Sequence, residues 1–146
     1  MLIIKAEIQH LNDLVPLFDG YRIFYRQISN NDAVKAFLKE RLEKRDTIIF
    51  IAYIGDKAVG YTQLFHSFSS VAMKPIFILN DLFVDSNYRK KGVGVALMNK
   101  AKILCKELEY KGIGLQTETT NPAQHLYESL GWKKDSDLQY FWTNEH

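Results

Sequence analysis

A single cysteine, Cys105, excludes an intrachain disulfide, and three dispersed prolines (Pro16, Pro75, Pro122) mark no linker. Four scattered histidines, His10, His66, His125 and His146, show none of the spacings by which metal ligands are presented, so no metal site is expected. Long apolar runs are missing too. The longest, Ile48 to Ile54, falls far short of the ~20 residues a membrane-spanning helix needs. The apolar start of the chain is interrupted at Lys5 and Glu7, which leaves no signal-peptide core. The expected location is the cytoplasm, with no membrane partner. Charge of one sign is also scarce: 19 basic against 17 acidic residues leave +2, too near neutral to announce a nucleic-acid partner, so any electrostatic signal must be local. What is present, 47% hydrophobic and 25% charged residues without an internal repeat, suits one soluble globular domain over residues 1–146.

After a short strand around Leu2 to Glu7, the apolar positions Leu11, Leu14, Val15, Leu17, Phe18, Tyr21, Phe24 and Tyr25 recur at helical spacing and predict a first helix running to Arg26. Asn31 or Asp32 is expected to cap a second, with Val34, Phe37, Leu38 and Leu42 on its apolar stripe and its end near Asp46. Two β-rich runs, Thr47 to Ile54 and Lys57 to Phe65, flank Gly55-Asp56 and read as a hairpin. A further strand, Ile76 to Val84, leads through Gly92 and Gly94 into a long helix striped by Val93, Ala96, Leu97, Ala101, Leu104 and Leu108. A short strand, Ile113 to Thr117, precedes Asn121-Pro122-Ala123-Gln124, where Asn caps, Pro takes the first helical position and Gln stands at the capping-box site. That helix should stop at Gly131, and the aromatic segment Trp132 to Trp142 should supply one or two closing strands.

The local electrostatic signal lies beside the glycines. Between Ser86 and Lys106 stand six basic residues (Arg89, Lys90, Lys91, Lys100, Lys102, Lys106) and no acidic one. The first amides of a helix have no internal partner and sit at the positive end of its dipole. A glycine-loosened turn from Arg89 through Lys90, Lys91, Gly92, Val93, Gly94 and Val95 to Ala96 therefore suits a phosphate. No Gly-x-x-x-x-Gly-Lys-Ser/Thr loop occurs, which sets nucleotide hydrolysis aside; Leu97 stands where a dinucleotide fingerprint wants a third glycine.

Tyr88-Arg-Lys-Lys-Gly-Val-Gly-Val-Ala-Leu97 resembles the coenzyme A loop of the GNAT superfamily of N-acetyltransferases, Arg/Gln-x-x-Gly-x-Gly/Ala, at Arg89, Gly92 and Gly94. Asn80-Asp-Leu-Phe-Val-Asp85 resembles the strand before that loop, and Asn121 to Trp132 is similar to the family's Asn-x-x-Ala-x-x-x-Tyr-x-x-x-Gly-Phe segment. The resemblance implies an α/β (α+β mixed) fold with a central, mostly antiparallel sheet of about six or seven strands, flanked by about four helices and splayed between the fourth and fifth strands. It also implies transfer of an acetyl group from acetyl-coenzyme A to a primary amine of a small molecule or peptide, by direct attack in a ternary complex. Carried over residue by residue, Leu82, Phe83 and Val84 would offer main-chain groups to the pantetheine arm, Arg89 to Ala96 would hold the pyrophosphate, Asn121 would position the cofactor, and Tyr127 would bind near the sulfur and act as general acid. A thiol of pKa ~8.5 leaves more readily when a phenol supplies its proton.

The acceptor side is less determined. In polyamine-type relatives a glutamate stands where this chain has Asn80, and an amide is no base. Asp81 is then the candidate base or amine-binding group, with a purely structural aspartate as the competing reading; strand alternation puts Asn80 and Asp81 on opposite faces unless a bulge intervenes. Tyr21, Tyr25, Phe65 and His66 are candidates to line the acceptor side. The segment Gly112 to Trp132 has no lysine or arginine but carries Glu118 and Glu128, so Glu118 is a candidate for a cationic, polyamine-like or lysine-like acceptor. Cys105 reads as a buried small hydrophobe. The competing function is a coenzyme A-binding sensor without turnover. The aromatic Tyr140 to Trp142 suits a homodimer interface or a monomer's core edge equally.

Overall fold

The computed structural model describes residues 1–144, which divide into two compact units, one of Met1–Gln116 and one from Thr117 onward. In the first, β1 (Leu2–Lys5), β2 (Thr47–Ile54), β3 (Lys57–Ser69), β4 (Lys74–Val84) and β5 (Ile113–Leu115) form one sheet in chain order. Every pairing is antiparallel except β4 with β5, which is parallel. The helices are α1 (Leu11–Phe24), α2 (Asn31–Lys44) and α3 (Val93–Glu107), with 3₁₀ turns at Ile8–His10 and Ser86–Tyr88. The second unit contains α4 (Ala123–Ser129). Through α4 the order of elements is the one the apolar periodicities predict.

Helices α1 and α2 cover one face of the sheet. Leu11, Leu14 and Leu17 of α1 and Val34 and Leu38 of α2 are buried with Ile49, Ile51 and Tyr61, because a 3.6-residue stripe meets strand positions spaced by two. On the other face α3 buries Val93, Leu97, Met98 and Ala101. Its approach to β3 is close at Gly60, where a Cβ would lie 2.9 Å from the Phe83 carbonyl oxygen and 3.1 Å from Val93 Cγ1.

The cap of α2 is Asn30, not Asn31 or Asp32. Its side chain accepts the Ala33 N–H at 3.1 Å, and the buried Asp19 carboxylate holds the entry by accepting the Asn30 N–H at 2.9 Å and the Ser29 hydroxyl at 2.7 Å. Periodicity locates the helix but not this clamp from eleven residues upstream. The sheet has five strands, fewer than expected, because none forms between Trp132 and Trp142 among the described residues. Leu138, Tyr140, Phe141 and Trp142 are exposed there; a strand needs a neighbouring backbone, and alternation in the sequence does not supply one. α4 starts one residue later than expected, with Pro122 and not Asn121 at the cap position, although the Asn121 side chain still accepts the Ala123 N–H at 2.9 Å. Gln124 Nε2, however, donates to the Thr119 carbonyl at 2.6 Å instead of closing a capping box.

Beyond Leu79, β4 loses its β5 partner: the parallel ladder spans only Phe77 to Leu79. The last residues of β4 pair on the β3 side alone, which is the splay between the fourth and fifth strands.

Candidate active site

The open end of β4 begins with a bulge. Gln63 pairs with Asp81 and Leu64 with Leu79, so Asn80 is the extra residue. The bulge resets the alternation. Leu79 stays on the α3 face with its partner Leu64, while Asp81 and Phe83 turn to the α1 face. Asn80 and Asp81, which a regular strand would part, are then joined by a 2.7 Å hydrogen bond from Asn80 Nδ2 to Asp81 Oδ1.

Asp81 is 1% exposed, and its carboxylate is fully engaged: Oδ2 accepts from the Tyr61 hydroxyl at 2.9 Å and from Gln63 Nε2 at 3.0 Å. Gln63 Oε1 in turn accepts from the Thr47 hydroxyl at 2.9 Å, so the network crosses three strands. Burial pushes the Asp81 carboxyl above its ordinary range, and the donors from Asn80, Tyr61 and Gln63 pull it part of the way back. Burial and then the neighbouring Asp81 charge push the Tyr61 phenol well above its usual value. Residue patterns alone missed Tyr61, Gln63 and Thr47; the available signal was Thr62-Gln63, two polar residues inside an apolar strand.

Aromatic side chains of α1 wall this place. The Tyr21 hydroxyl donates to the Asn80 carbonyl at 3.1 Å, and the Tyr21 ring makes edge contacts with Tyr25 and Tyr61, with centroids 5.0 and 6.2 Å apart. Tyr21 thus meets Asn80, and Tyr25 packs against Tyr21. Phe65 shares the strand face of Tyr61 and Gln63 but lies further along β3, opposite Ile78. His66 is on the opposite face, packed on Phe77 and Tyr110, so it does not join Tyr21. Cys105 is buried, its Sγ 3.7 Å from the Tyr110 carbonyl oxygen, and burial pushes its thiol up, away from nucleophilic character.

The main chain of Leu82, Phe83 and Val84 divides by strand alternation. The Phe83 carbonyl faces Gly60 of β3, and the Asp85 N–H donates to Val59 at 2.8 Å. Leu82 and Val84 therefore direct their backbone groups to the open edge, where the Val84 carbonyl already accepts from Arg89 Nε at 3.1 Å. The Phe83 ring lines a cleft of about 410 Å³ with Pro16, Gly20, Phe24, Asp85 and Arg89.

The turn that follows is shaped for an anion. Lys90 (φ +62) and Gly92 (φ +82) are both left-handed, and Gly92 caps α3 without a side chain. The first intrahelical bond runs from the Ala96 N–H to the Gly92 carbonyl at 3.0 Å, so Ala96 has no amide to offer. The amides of Val93, Gly94 and Val95 have no acceptor within the helix. A Cβ on Gly94 would find nothing nearer than Val84 Cγ2 at 3.9 Å, so its surroundings are open. With Arg89, Lys90 and Lys91 exposed around it and the helix dipole behind it, this set of donors fits a diphosphate.

In the second unit, Asn121 Nδ2 donates to Thr117 Oγ1 at 2.9 Å, so both ends of its amide serve the turn before α4. Tyr127 is half-buried on α4; its carbonyl accepts the Trp132 N–H at 3.1 Å, and its ring lies 6.5 Å from that of Trp132. Glu118 is exposed at the start of the same turn.

A parallel strand pair that parts beside a β-bulge, followed by a glycine turn with unspent amides, defines the GNAT acetyltransferase class. The GNAT acetyltransferase domain model matches residues 45–134. An uncharacterized N-acetyltransferase of Bacillus subtilis, YhfO, is 42% identical over 145 residues, covering 99% of this chain and 97% of its own. A probable acetyltransferase of Haemophilus influenzae is 35% identical over 103 residues, 70% of each chain. The crystal structure of a probable acetyltransferase superposes with a TM-score of 0.92 at 33% identity, over 100% of this chain and 99% of that one. The chain belongs to the GNAT family and is an acetyl-coenzyme A-dependent N-acetyltransferase. No helix among the described residues is long and apolar enough to cross a membrane.

Proposed function

We propose that residues 1–146 act as one domain that transfers the acetyl group of acetyl-coenzyme A to a primary amine by direct attack. The observation that carries this reading is the pairing of the amide cradle at Val93 to Val95 with the open main-chain edge at Leu82 and Val84. Acetyl-coenzyme A, when bound, supplies the thioester whose carbonyl carbon the amine nitrogen attacks as the carbon–sulfur bond breaks. The amides of Val93, Gly94 and Val95 hold the diphosphate, helped by the charges of Arg89, Lys90 and Lys91. Leu82 and Val84 hold the arm by main-chain hydrogen bonds, as an added strand would be held. Tyr21 and Tyr25 form the wall of the acceptor side.

Tyr127, by its place in the motif, holds the phenolic proton for the leaving sulfur, and Asn121 shapes the turn before it. Asp81 serves this reaction by position: buried and saturated, it anchors the bulge and is not free to remove a proton. Glu118 stays a candidate for a cationic acceptor.

The test is thiol release from acetyl-coenzyme A against a panel of amines, with thermal denaturation in parallel. Turnover with an amine and a rise in Tm with coenzyme A are expected. A rise in Tm without turnover on any amine would instead favour a coenzyme A-binding sensor.

A further inference from the structure

The polar groups of the β4 bulge are fastened by side chains, and three consecutive residues of β3 supply most of the fastening. The Tyr61 hydroxyl and Gln63 Nε2 donate to Asp81 Oδ2 at 2.9 and 3.0 Å, and the Thr62 hydroxyl donates to the Asp81 carbonyl at 2.7 Å. From α1 the Tyr21 hydroxyl donates to the Asn80 carbonyl, and Asn80 Nδ2 completes the set on Asp81 Oδ1. Thr62 and Gln63 are 0% and 1% exposed, and burial of polar side chains to that degree is unfavourable unless each has a partner. Their place in an apolar strand is thus explained by what they hold.

Gln63 is bound at both ends of its amide. An amide carries its acceptor and its donors on opposite atoms. Thr47, from β2, donates its hydroxyl proton to Gln63 Oε1 at 2.9 Å, and that bond turns Nε2 toward Asp81. The titratable groups that face Asp81 are Tyr61 from β3 and, next to Tyr61 and Asn80, Tyr21 from α1; β2 brings Thr47, and β5 reaches only to Leu79. As oriented, Asn80, Tyr61 and Gln63 all donate to the Asp81 side chain. That arrangement fits a carboxylate, and none of these three bonds offers an acceptor to a carboxylic acid. The Gln63 donor is one of those that pull the Asp81 carboxyl back toward its ordinary range.

We propose that Gln63 is a positioning residue for acetyl transfer, its amide set by Thr47 so that it fixes Asp81 in the bulge and, through Asp81, the course of the main-chain edge at Leu82 and Val84. The inference rests on the acetyl-transfer reading and adds to it two residues, on β2 and β3, that act through Asp81. Leu82 follows Asp81 directly, so a carboxylate that shifts or turns carries the next main-chain groups with it. A misplacement of about 1 Å in such a support slows a reaction on the order of a hundredfold. Replacing the Gln63 amide by a carboxylate sets two acids side by side, and these keep a hydrogen bond only while they share a proton. Removing the Thr47 hydroxyl frees the amide to turn its oxygen toward Asp81, an arrangement that suits the protonated acid and not the carboxylate. The two changes therefore act in opposite pH directions.

The experiment measures kcat and KM by thiol release from pH 5 to 9 with an amine that the wild type acetylates, at a temperature well below each protein's Tm. Each variant is divided by the wild type at the same pH, so that titration of the amine cancels. Relative kcat of Gln63→Glu should be highest at the acid end and fall by about tenfold or more toward pH 9, as the shared proton is lost. Thr47→Val should tilt the other way, losing roughly tenfold toward pH 5, while Thr47→Ser, which keeps the hydroxyl, should stay within about threefold of the wild type throughout. Coenzyme A affinity, measured by calorimetry, should change by less than about threefold, because the amide cradle at Val93 to Val95 belongs to another element. Relative kcat that stays level with pH in both Gln63→Glu and Thr47→Val, with only Tm altered, overturns the positioning role and leaves acetyl transfer standing. If Gln63→Glu does not fold, the comparison of Thr47→Val with Thr47→Ser decides by the same criterion. Absence of thiol release by the wild type with every amine overturns the acetyl-transfer reading itself, and this inference with it.

Discussion

Arg89 reaches back along the strand it follows: its Nε donates to the Val84 carbonyl at 3.1 Å. Its guanidinium then lies 5.8 Å from the Phe83 ring centroid. This bond ties the end of β4 to the glycine turn, so the main-chain edge and the amide cradle are built as one piece. It also explains why an arginine suits the first position of the loop motif. The side chain braces the turn from the strand side and keeps positive charge beside unspent amides.

Gly94 separates folding from binding in this loop. Its backbone is ordinary helix and its surroundings are open, with Val84 Cγ2 at 3.9 Å the nearest atom to an added Cβ. Gly94→Val should leave the Tm of the free protein within a few degrees of the wild type. The larger side chain would stand where the proposed diphosphate site meets the first helical turn, so affinity for coenzyme A should fall roughly tenfold or more. Calorimetric titration of both proteins checks this, and unchanged affinity would place the diphosphate elsewhere.

Asp19 should give the fold part of its acid sensitivity. Hydrogen bonds from the Ser29 hydroxyl and the Asn30 N–H, with help from Arg22, hold its carboxyl below its ordinary range. A carboxyl with a lowered folded pKa contributes stability above its unfolded pKa of ~3.9 and loses it as pH falls through the folded value. Asp19→Ala should destabilise the protein by about 1–3 kcal/mol at pH 7, because the Asn30 N–H loses its acceptor. Denaturant titrations at pH 7 and near pH 3 should show the gap between variant and wild type narrowing in acid.

Gly60→Ala should destabilise the fold by about 1–3 kcal/mol, since a Cβ there lies 2.9 Å from the Phe83 carbonyl oxygen, and backbone cannot swing aside as the end of a side chain can. The same shift would move the end of β4. Chemical denaturation gives the stability loss, and KM for acetyl-coenzyme A should rise with it.

Tyr127→Phe should lower kcat by about a hundredfold while leaving coenzyme A affinity close to that of the wild type, because only the phenolic proton is removed. Steady-state thiol release and titration calorimetry separate the two effects. An unchanged kcat would remove Tyr127 from catalysis and leave it as the residue that packs on Trp132.

Much of this was legible in the chain because it depends on local rules. The Gly92 turn and the α3 stripe follow from φ preferences and helical spacing, which neighbouring residues largely set. The bulge was not legible in the same way. Asn80-Asp81 obeys alternation on paper, and only the pairing of Gln63 with Asp81 beside Leu64 with Leu79 shows that β4 carries one residue more than β3. The expected strands after Trp132 show the converse error, in which a suitable local pattern finds no partner backbone.

By itself the sequence determined the order of helices and strands, the basic glycine turn and its resemblance to a coenzyme A loop, because each is a property of a few contiguous residues. The tertiary structure alone decided that Asp81 is enclosed, that Asn80 stands exposed with its amide held, and that Tyr21 and Tyr61 of separate elements meet there. Burial and hydrogen-bond partnership depend on residues tens of positions apart, and it is those, not residue type, that enclose the Asp81 carboxylate and occupy its oxygens.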